Sequence, residues 1–191
     1  VTIENLHYMT EALSHGNGVV ILTAHFGNWE WMAARLAQAK LPVAAIAETQ
    51  PGPGIDRLLN EYREMVGLTP YARGNALVAA MKALKKGNVL GFLADQDAKE
   101  NGVFVDFFGR PASTPQGPAV FALRCGAPVI PAFIVRQPKK GHRILLSPPI
   151  YGDNAGDSTA EIGRLTEQMT QVIEERIRRY PDHWWWFQRR W

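Results

Sequence analysis

Short apolar runs alternate with amphipathic segments along most of the chain. Apolar runs of four to eight residues, bounded by turn residues, predict buried strands, and longer segments with helical periodicity predict helices. The predicted strands span residues 19–22, 41–46, 89–94, 128–135 and 143–147, with a short extended segment at 68–71. The predicted helices span residues 2–15, 29–40, 55–66, 75–86, 115–126 and 157–180. This alternation predicts an α/β fold with a mostly parallel central sheet flanked by helices.

Between these elements, the segment 102–114 is rich in aromatic residues and glycine, and we expect it to form a loop over one edge of the sheet. The sequence contains neither an internal repeat nor a linker-like stretch, so a single domain over residues 1–191 is predicted.

Polar side chains follow three of the predicted strands at the point where each strand ends. His25 comes just after the strand at 19–22, Glu48 follows the strand at 41–46, and Asp95 and Asp97 follow the strand at 89–94. The carboxyl ends of parallel strands meet at one edge of a sheet, where open α/β sheets bind their ligands. We therefore expect a site at this edge.

The stretch HFGNWE joins the first of these strands to a helix. Gly27 turns the chain after His25, and Glu30 falls in the first turn of the following helix, from where its carboxylate can fold back onto the imidazole. A carboxylate on one ring nitrogen fixes the tautomer and leaves the other nitrogen free to accept a proton. The loop contains neither Ser nor Cys, so the expected chemistry is direct attack by a substrate hydroxyl or amine that His25 deprotonates.

A structural interpretation of the same residues stays open. Glu30 also suits the first turn of any helix, where the helix dipole favours an acidic side chain. His25 would then be a histidine at the end of a strand without a catalytic role.

Composition narrows the class of protein. The chain has 191 residues, a net charge of +3 and one cysteine, Cys125, which excludes an internal disulfide and a cysteine-based zinc site and is typical of a reducing compartment. Asp95 and Asp97 alone are weak evidence for a metal, so no metal site is predicted. Gly52 and Gly54 follow prolines and do not form a dinucleotide fingerprint, so no cofactor is predicted. We find no signal peptide and no apolar run near the roughly 20 residues that span a bilayer.

The C-terminal segment combines indoles with arginines. Trp184, Trp185, Trp186 and Trp191 lie among Arg176, Arg178, Arg179, Arg189 and Arg190. Such a composition suits a membrane–water interface, and it equally suits indoles packed in the core beside solvated arginines. The stacking residues are confined to this end of the chain, so no nucleic-acid partner is predicted. His183, within this segment, is predicted to be structural.

Five blocks of sequence together resemble a known family. They are HFGNWE at 25–30, LKKG at 84–87 leading to DQD at 95–97, VFVDFFGRPAST at 103–114, GAPVIP at 126–131 and YPDHWWWFQRRW at 180–191. In this order they resemble the lauroyl/myristoyl acyltransferase family of bacterial lipid A biosynthesis. That family belongs to the lysophospholipid acyltransferase superfamily with the H-x4-D/E motif, and the resemblance implies a fold like that of the glycerolipid acyltransferases.

The resemblance implies an O-acyltransferase in which His25 is the general base and Glu30 its partner. The donor would be an acyl thioester on acyl carrier protein or coenzyme A, and the acceptor a hydroxyl of a lipid A precursor or related glycolipid. The expected substrate-binding residues are Glu48, Arg63, Asp95, Asp97 and Arg110. Backbone N–H groups near Gly27, and the guanidinium groups of Arg63 and Arg110, are candidates for stabilising the oxyanion.

The resemblance also carries expectations about location. Family members are longer at the N-terminus, where a membrane-anchoring segment lies, and this chain starts at Val1, so it is expected to be a fragment without that segment. It is expected to contact the membrane peripherally, at the cytoplasmic face of the bacterial inner membrane.

Two positions depart from the lipid A pattern. Glu48 resembles the version in actinobacterial and other glycolipid acyltransferases, which leaves the acceptor open, and Gln188 stands where a histidine is common, which weakens the expectation of a role for that side chain. The alternatives are an acyltransferase for an amino-lipid or lysophospholipid, a hydrolase, or a non-catalytic acyl-chain-binding protein.

Overall fold

The computed structural model describes residues 1–47, 52–72, 76–153, 155–156 and 158–191. Within these residues the strands, in chain order, are β1 (Thr2–Glu4), β2 (Val19–Thr23), β3 (Val43–Ala47), β4 (Thr69–Ala72), β5 (Val89–Leu93), β6 (Val103–Phe107), β7 (Arg110–Thr114), β8 (Val129–Arg136) and β9 (His142–Leu146). The helices are α1 (Leu6–Ser14), α2 (Trp29–Gln38), α3 (Pro53–Met65), α4 (Ala76–Lys85), α5 (Gly117–Cys125) and α6 (Ser158–Arg179).

Seven of the strands form one sheet in the order β1-β9-β8-β2-β5-β3-β4. Every neighbouring pair is parallel except β8 and β9, which are antiparallel and joined by the turn at residues 137–141. The predicted α/β class with a mostly parallel sheet is therefore confirmed. β2 lies in the middle of the sheet, so its carboxyl end is flanked by the ends of β5 and β8.

Helices cover both faces of the sheet, which explains why the strands read as continuous apolar runs rather than alternating ones. In β2, Val20 and Leu22 face a core shared with α5 and α6, whereas Val19 and Ile21 face a core shared with α1 and α2. Both faces are fully buried, as a central parallel strand requires.

Two predicted elements differ from the structure. The segment 2–15 was expected to be one helix, but its first residues form β1 beside β9, and Asn5 in the left-handed region (φ 59°) separates this strand from α1. The segment 102–114 was expected to be a loop, but it forms the antiparallel hairpin β6–β7. The residues at the tip of the hairpin, Phe108 and Gly109, both have positive φ, which is the geometry of a two-residue hairpin turn.

The chain ends beside the carboxyl edge of β2. Helix α6 contacts the hairpin and leads to a one-turn 3-10 helix, Pro181–His183, after which Trp184 makes an antiparallel bridge to Phe26. We call residues 184–191 the C-terminal tail. None of the described helices is long and apolar enough to cross a bilayer.

Candidate active site

The relative position of β2 and β5 brings His25 and Asp95 together. The strands are parallel neighbours with Thr23 paired to Leu93, and His25 and Asp95 each lie two residues beyond that pair. The Nδ1 atom of His25 is 2.8 Å from Oδ1 of Asp95, and the backbone N–H of His25 donates to Oδ2 of the same carboxylate at 2.9 Å. The expectation that polar residues of different strands meet at this edge is confirmed for these two.

Asp95 is held from several directions. Its Oδ2 atom also accepts hydrogen bonds from the indole N–H of Trp184 at 2.8 Å and from the side-chain amide of Gln188 at 2.7 Å. The residue is 1% exposed. Burial alone would raise the pKa of Asp95, but the hydrogen bond and charge attraction from His25, together with the bonds from Gln188 and Trp184, bring the pKa below its ordinary value. The carboxylate is therefore ionised at neutral pH.

This environment selects one tautomer of His25. The Oδ1 atom of an ionised carboxylate can only accept, so Nδ1 carries a proton and Nε2 is left as the basic nitrogen of the neutral ring. Within the described part of the chain, neither a hydroxyl nor a thiol hydrogen-bonds to the ring. The side chain of His25 is 16% exposed, so the ring retains access to solvent. The arrangement pairs a histidine with a buried carboxylate, and among the described residues no nucleophilic side chain hydrogen-bonds to the ring.

Two indoles border the imidazole. The ring of Trp29 meets it edge-on with centroids 5.1 Å apart, and the ring of Trp185 lies 6.0 Å away. The two indoles are nearly parallel to each other, at 14°. Trp185 is fixed by its backbone N–H, which donates to the carbonyl of His25 at 2.9 Å. The imidazole thus lies beside an apolar aromatic surface.

The contact predicted for Glu30 is made instead by Asp95. Glu30 does lie in the first turn of α2, whose N-terminus is capped by the side chain of Asn28. However, its carboxylate pairs with Arg63 of α3, at 2.6 Å from Nη2 and 3.4 Å from Nε. Glu30 therefore orients Arg63, whereas the Nδ1 atom of the imidazole is paired with Asp95.

Glu48, Asp97 and Arg110 were also predicted to bind substrate. Glu48 lies outside the described residues. Asp97 accepts a hydrogen bond from the backbone of Lys99 at 2.9 Å, two residues beyond the buried Asp95. Arg110 is at the start of β7, with its guanidinium 5.3 Å from the centre of the Trp191 ring. The substrate-binding roles of Arg63, Asp97 and Arg110 stay predictions.

The backbone at Gly27 does not supply a free oxyanion donor. Its N–H group donates to the carbonyl of His183 at 2.7 Å, so the expectation for this amide is wrong. His183 itself has the structural role predicted for it. Its Nε2 atom accepts the backbone N–H of Arg136 at 2.9 Å, and its Nδ1 atom is 2.9 Å from the carboxylate of Asp182.

The tail supplies residues that the sequence did not identify. Gln188 and Trp184 fix Asp95, and Arg190 is 2% exposed, donating to the carbonyl of Ser113 and the hydroxyl of Thr114 at 2.8 and 2.6 Å. Burial lowers the pKa of Arg190, while the charges of Asp95 and Asp97 counter that shift. The tail therefore divides into a buried part, which supports the site, and an exposed part that includes Trp186 and Phe187.

Comparison with known proteins identifies the family of the chain. The whole chain, residues 1–191, matches the model of the family described as bacterial lipid A biosynthesis acyltransferase. The chain belongs to this family. The resemblance drawn from the sequence blocks is thus confirmed.

Individual relatives share between 25% and 28% of their aligned residues with the chain. The chain is 28% identical to the phosphatidylinositol mannoside acyltransferase of Mycolicibacterium smegmatis over 98% of its length, and that alignment covers 61% of the relative. It is 25% identical to the lipid A biosynthesis palmitoleoyltransferase of Escherichia coli K12 and 26% identical to the lauroyltransferase of the same strain, covering 60% of each. The chain thus spans about three fifths of these relatives.

Proposed function

We propose that this acyltransferase moves a fatty acyl chain from a thioester of acyl carrier protein or coenzyme A to a hydroxyl of a lipid A precursor or related glycolipid. The observation that carries the proposal is the His25–Asp95 pair, because it provides a basic nitrogen and no nucleophile to form an acyl-enzyme. Relatives named for lipid A and for phosphatidylinositol mannoside acylation support a glycolipid as the acceptor.

The reaction follows from the tautomer of His25. Nε2 removes the proton of the acceptor hydroxyl while the oxygen attacks the thioester carbonyl and forms the new ester bond. The carbon–sulfur bond then breaks, and the proton on Nε2 passes to the departing thiolate. Asp95 stabilises the imidazolium that exists between these two proton transfers. A base positioned in this way contributes roughly 10²–10⁴ to the rate.

Glu30 acts in this proposal through Arg63. The pair joins the first turn of α2 to the last turn of α3. Glu30 holds the guanidinium at one place and in one orientation, and Arg63 remains the residue that would meet an anionic or thioester group of the substrate.

The surface around the site suits a lipid substrate. On α3, Ile55, Leu58, Tyr62 and Met65 recur at a spacing that places them on one helix face, and each is between 51% and 74% exposed. In the tail, Phe187 is 94% exposed. Exposed apolar side chains grouped on one helix face mark an interaction surface. We therefore extend the proposal to a peripheral position at the cytoplasmic face of the bacterial inner membrane.

Acyl transfer itself is tested with radiolabelled acyl thioesters and a panel of acceptors: lipid A precursors, phosphatidylinositol mannosides, lysophospholipids and amino-lipids. We expect an acylated glycolipid with wild-type protein and a loss of roughly 10²–10⁴ in rate with His25→Ala. The control is His15→Ala, because His15 is an exposed histidine that precedes β2, at the opposite edge of the sheet. Transfer at the full rate by His25→Ala, or fatty acid release independent of any acceptor, contradicts the proposal.

Membrane contact is tested by sedimentation with vesicles of anionic and zwitterionic phospholipid. We expect Leu58→Ser combined with Met65→Ser to lower the bound fraction, because both side chains lie on the exposed face of α3. Tyr151→Ser is the matched control, since Tyr151 is equally exposed but follows Ile150, which pairs with the start of β8 at the opposite edge. Equal binding of all three proteins would place the membrane contact elsewhere.

A further inference from the structure

A groove opens beside the loop that follows His25, on the β8 side of β2. It consists of two adjoining cavities of about 450 and 310 Å³ that share Arg136, His142, Asp182 and His183. The smaller cavity reaches Gly27 and Asn28 at the start of α2. The larger one extends along the turn at residues 137–141. We call the combined space the turn groove.

The lining of the turn groove is positively charged. Arg136, Lys139 and Lys140 are basic residues of the lining, and His142 adds an imidazole. Among the described lining residues the one carboxylate is Asp182, which is bound to Nδ1 of His183 at 2.9 Å. Because both ring nitrogens of His183 are already engaged, the arginine and the two lysines are the groups that face an incoming ligand. The net charge of the groove favours an anion.

The position of the groove relates it to the reacting atoms. β8 runs parallel to β2, so Arg136 at its end lies at the same edge as His25, and Gly27 and Asn28 connect the groove to the imidazole along the chain. Asp95 approaches His25 from the other side, where β5 lies. The turn groove therefore lies at the same edge of the sheet as His25 and extends to Gly27 and Asn28, which follow His25 closely in the chain.

We propose that the turn groove binds a phosphate ester belonging to one of the two substrates that react at His25. This inference rests on the proposed function, which supplies the substrates. A phosphate ester fits because Arg136, Lys139 and Lys140 line a space large enough for it, and because phosphate retains its negative charge at neutral pH. The phosphate can come from the carrier of the acyl thioester or from the head group of the acceptor lipid.

Binding is measured without turnover by following the backbone amide of Gly141 in nitrogen-15 NMR spectra. Coenzyme A is the probe for the donor, and glycerophosphoinositol is the probe for a lipid head group. We expect one of them to shift the Gly141 signal saturably, and the double substitution Lys139→Ala with Lys140→Ala to weaken that probe roughly tenfold at low salt. Added salt should weaken binding to the wild type in the same direction.

The matched control is Lys85→Ala with Lys86→Ala. These lysines are also adjacent and exposed, but they lie at the end of α4, beside the start of β5 at the opposite edge of the sheet. We expect the control to bind both probes as the wild type does. The probe that responds identifies the source of the phosphate, and the turn variant should raise the KM of that substrate while kcat stays unchanged.

Failure of the inference is distinct from failure of the proposed function. If neither probe shifts Gly141, or if both double variants weaken binding equally, the turn groove is not a phosphate site even in an active enzyme. If the wild type binds a probe as expected but transfers no acyl group, the groove is supported and the reaction is refuted. His25→Ala should bind both probes normally, since the imidazole does not line the groove.

Discussion

Replacing Asp95 by asparagine should invert the tautomer of His25. Three N–H donors converge on Oδ2, from the backbone of His25, the indole of Trp184 and the amide of Gln188. In Asp95→Asn the carbonyl oxygen must take this position, because an NH₂ group there would face three donors. The NH₂ group then points at Nδ1 of His25, which has to accept, and the ring proton moves to Nε2. The nitrogen that should receive the substrate proton becomes a donor.

The loss of activity is expected to be large because His25 is held in the wrong tautomer while the geometry of the site is preserved. A loss of roughly 10³–10⁴ in kcat is expected, equivalent to about 4–5.5 kcal/mol of transition-state stabilisation. The loss is measured with labelled acyl thioester and acceptor lipid, and nitrogen-15 chemical shifts of the imidazole report the tautomer directly. The matched control is Asp106→Asn, an exposed aspartate that also accepts a backbone N–H, at 2.9 Å from Gly109. Full activity in Asp95→Asn, or lost activity with Nδ1 still protonated, would refute the reasoning.

The same variant carries a prediction about pH. The folded-state pKa of Asp95 lies below its ordinary value, so its ionised form contributes stability that is fully present above the unfolded pKa of about 3.9. This contribution is lost as the pH falls through the folded pKa. The contribution of Asp95 to the difference in unfolding free energy between wild type and Asp95→Asn should therefore shrink as the pH falls below about 4. A difference that grows on acidification would show that the pKa is raised, not lowered.

Three further predictions test the surroundings of this pair. Gln188→Met removes one hydrogen bond to the buried carboxylate of Asp95, worth about 1.5–3 kcal/mol. It should lower kcat roughly tenfold with little change in KM. An unchanged kcat contradicts the proposal that Gln188 supports Asp95. Gly27 has φ +59°, and Gly27→Ala places a methyl group 2.2 Å from a carbonyl oxygen of β8. This variant should lower the free energy of unfolding by at least about 2 kcal/mol, measured by thermal melts. The control Gly16→Ala should cost less, because Gly16 also has positive φ but lies in open space. Glu30→Gln and Arg63→Gln should each lower kcat/KM. Because the two residues act as a pair, kcat/KM of the double variant should be no lower than that of the less active single variant. Losses in kcat/KM that multiply would show independent roles.

Hydrophobic patterning predicted the longer elements because their burial is strong. β2, β5 and β8 are covered on both faces, so their apolar runs stand out, and α6 has a clear amphipathic period. β1 was missed because it has three residues and is defined by a partner, β9, that lies far along the chain. The hairpin was missed because Phe108, with φ 57°, occupies a turn position where Gly or Asn is the usual signal.

The residue types of the site could be predicted from the sequence, but which acidic residue contacts His25 could not. His25 and Asp95 could both be placed at one edge of the sheet from the sequence. Which acid meets the imidazole depends on strand order, and β5 inserts between β2 and β3 although β3 follows β2 in the chain. Hydrophobic periodicity carries no information on that order. The role of Gln188 was hidden for a similar reason, since its partner lies 93 residues away.

The two carboxylate oxygens of Asp95 have different hydrogen-bond partners. Because two of the partners of Oδ2 are residues of the C-terminal tail, the tail is part of the site. A buried carboxylate free to rotate could turn either oxygen to Nδ1, and its pKa would rise with desolvation. Trp184 and Gln188, with the backbone of His25, saturate Oδ2 and so reserve Oδ1 for the ring. Their bonds also stabilise the charged form against the effect of burial. The imidazole can then lie beside apolar indoles and still keep an ionised partner on its Nδ1 side.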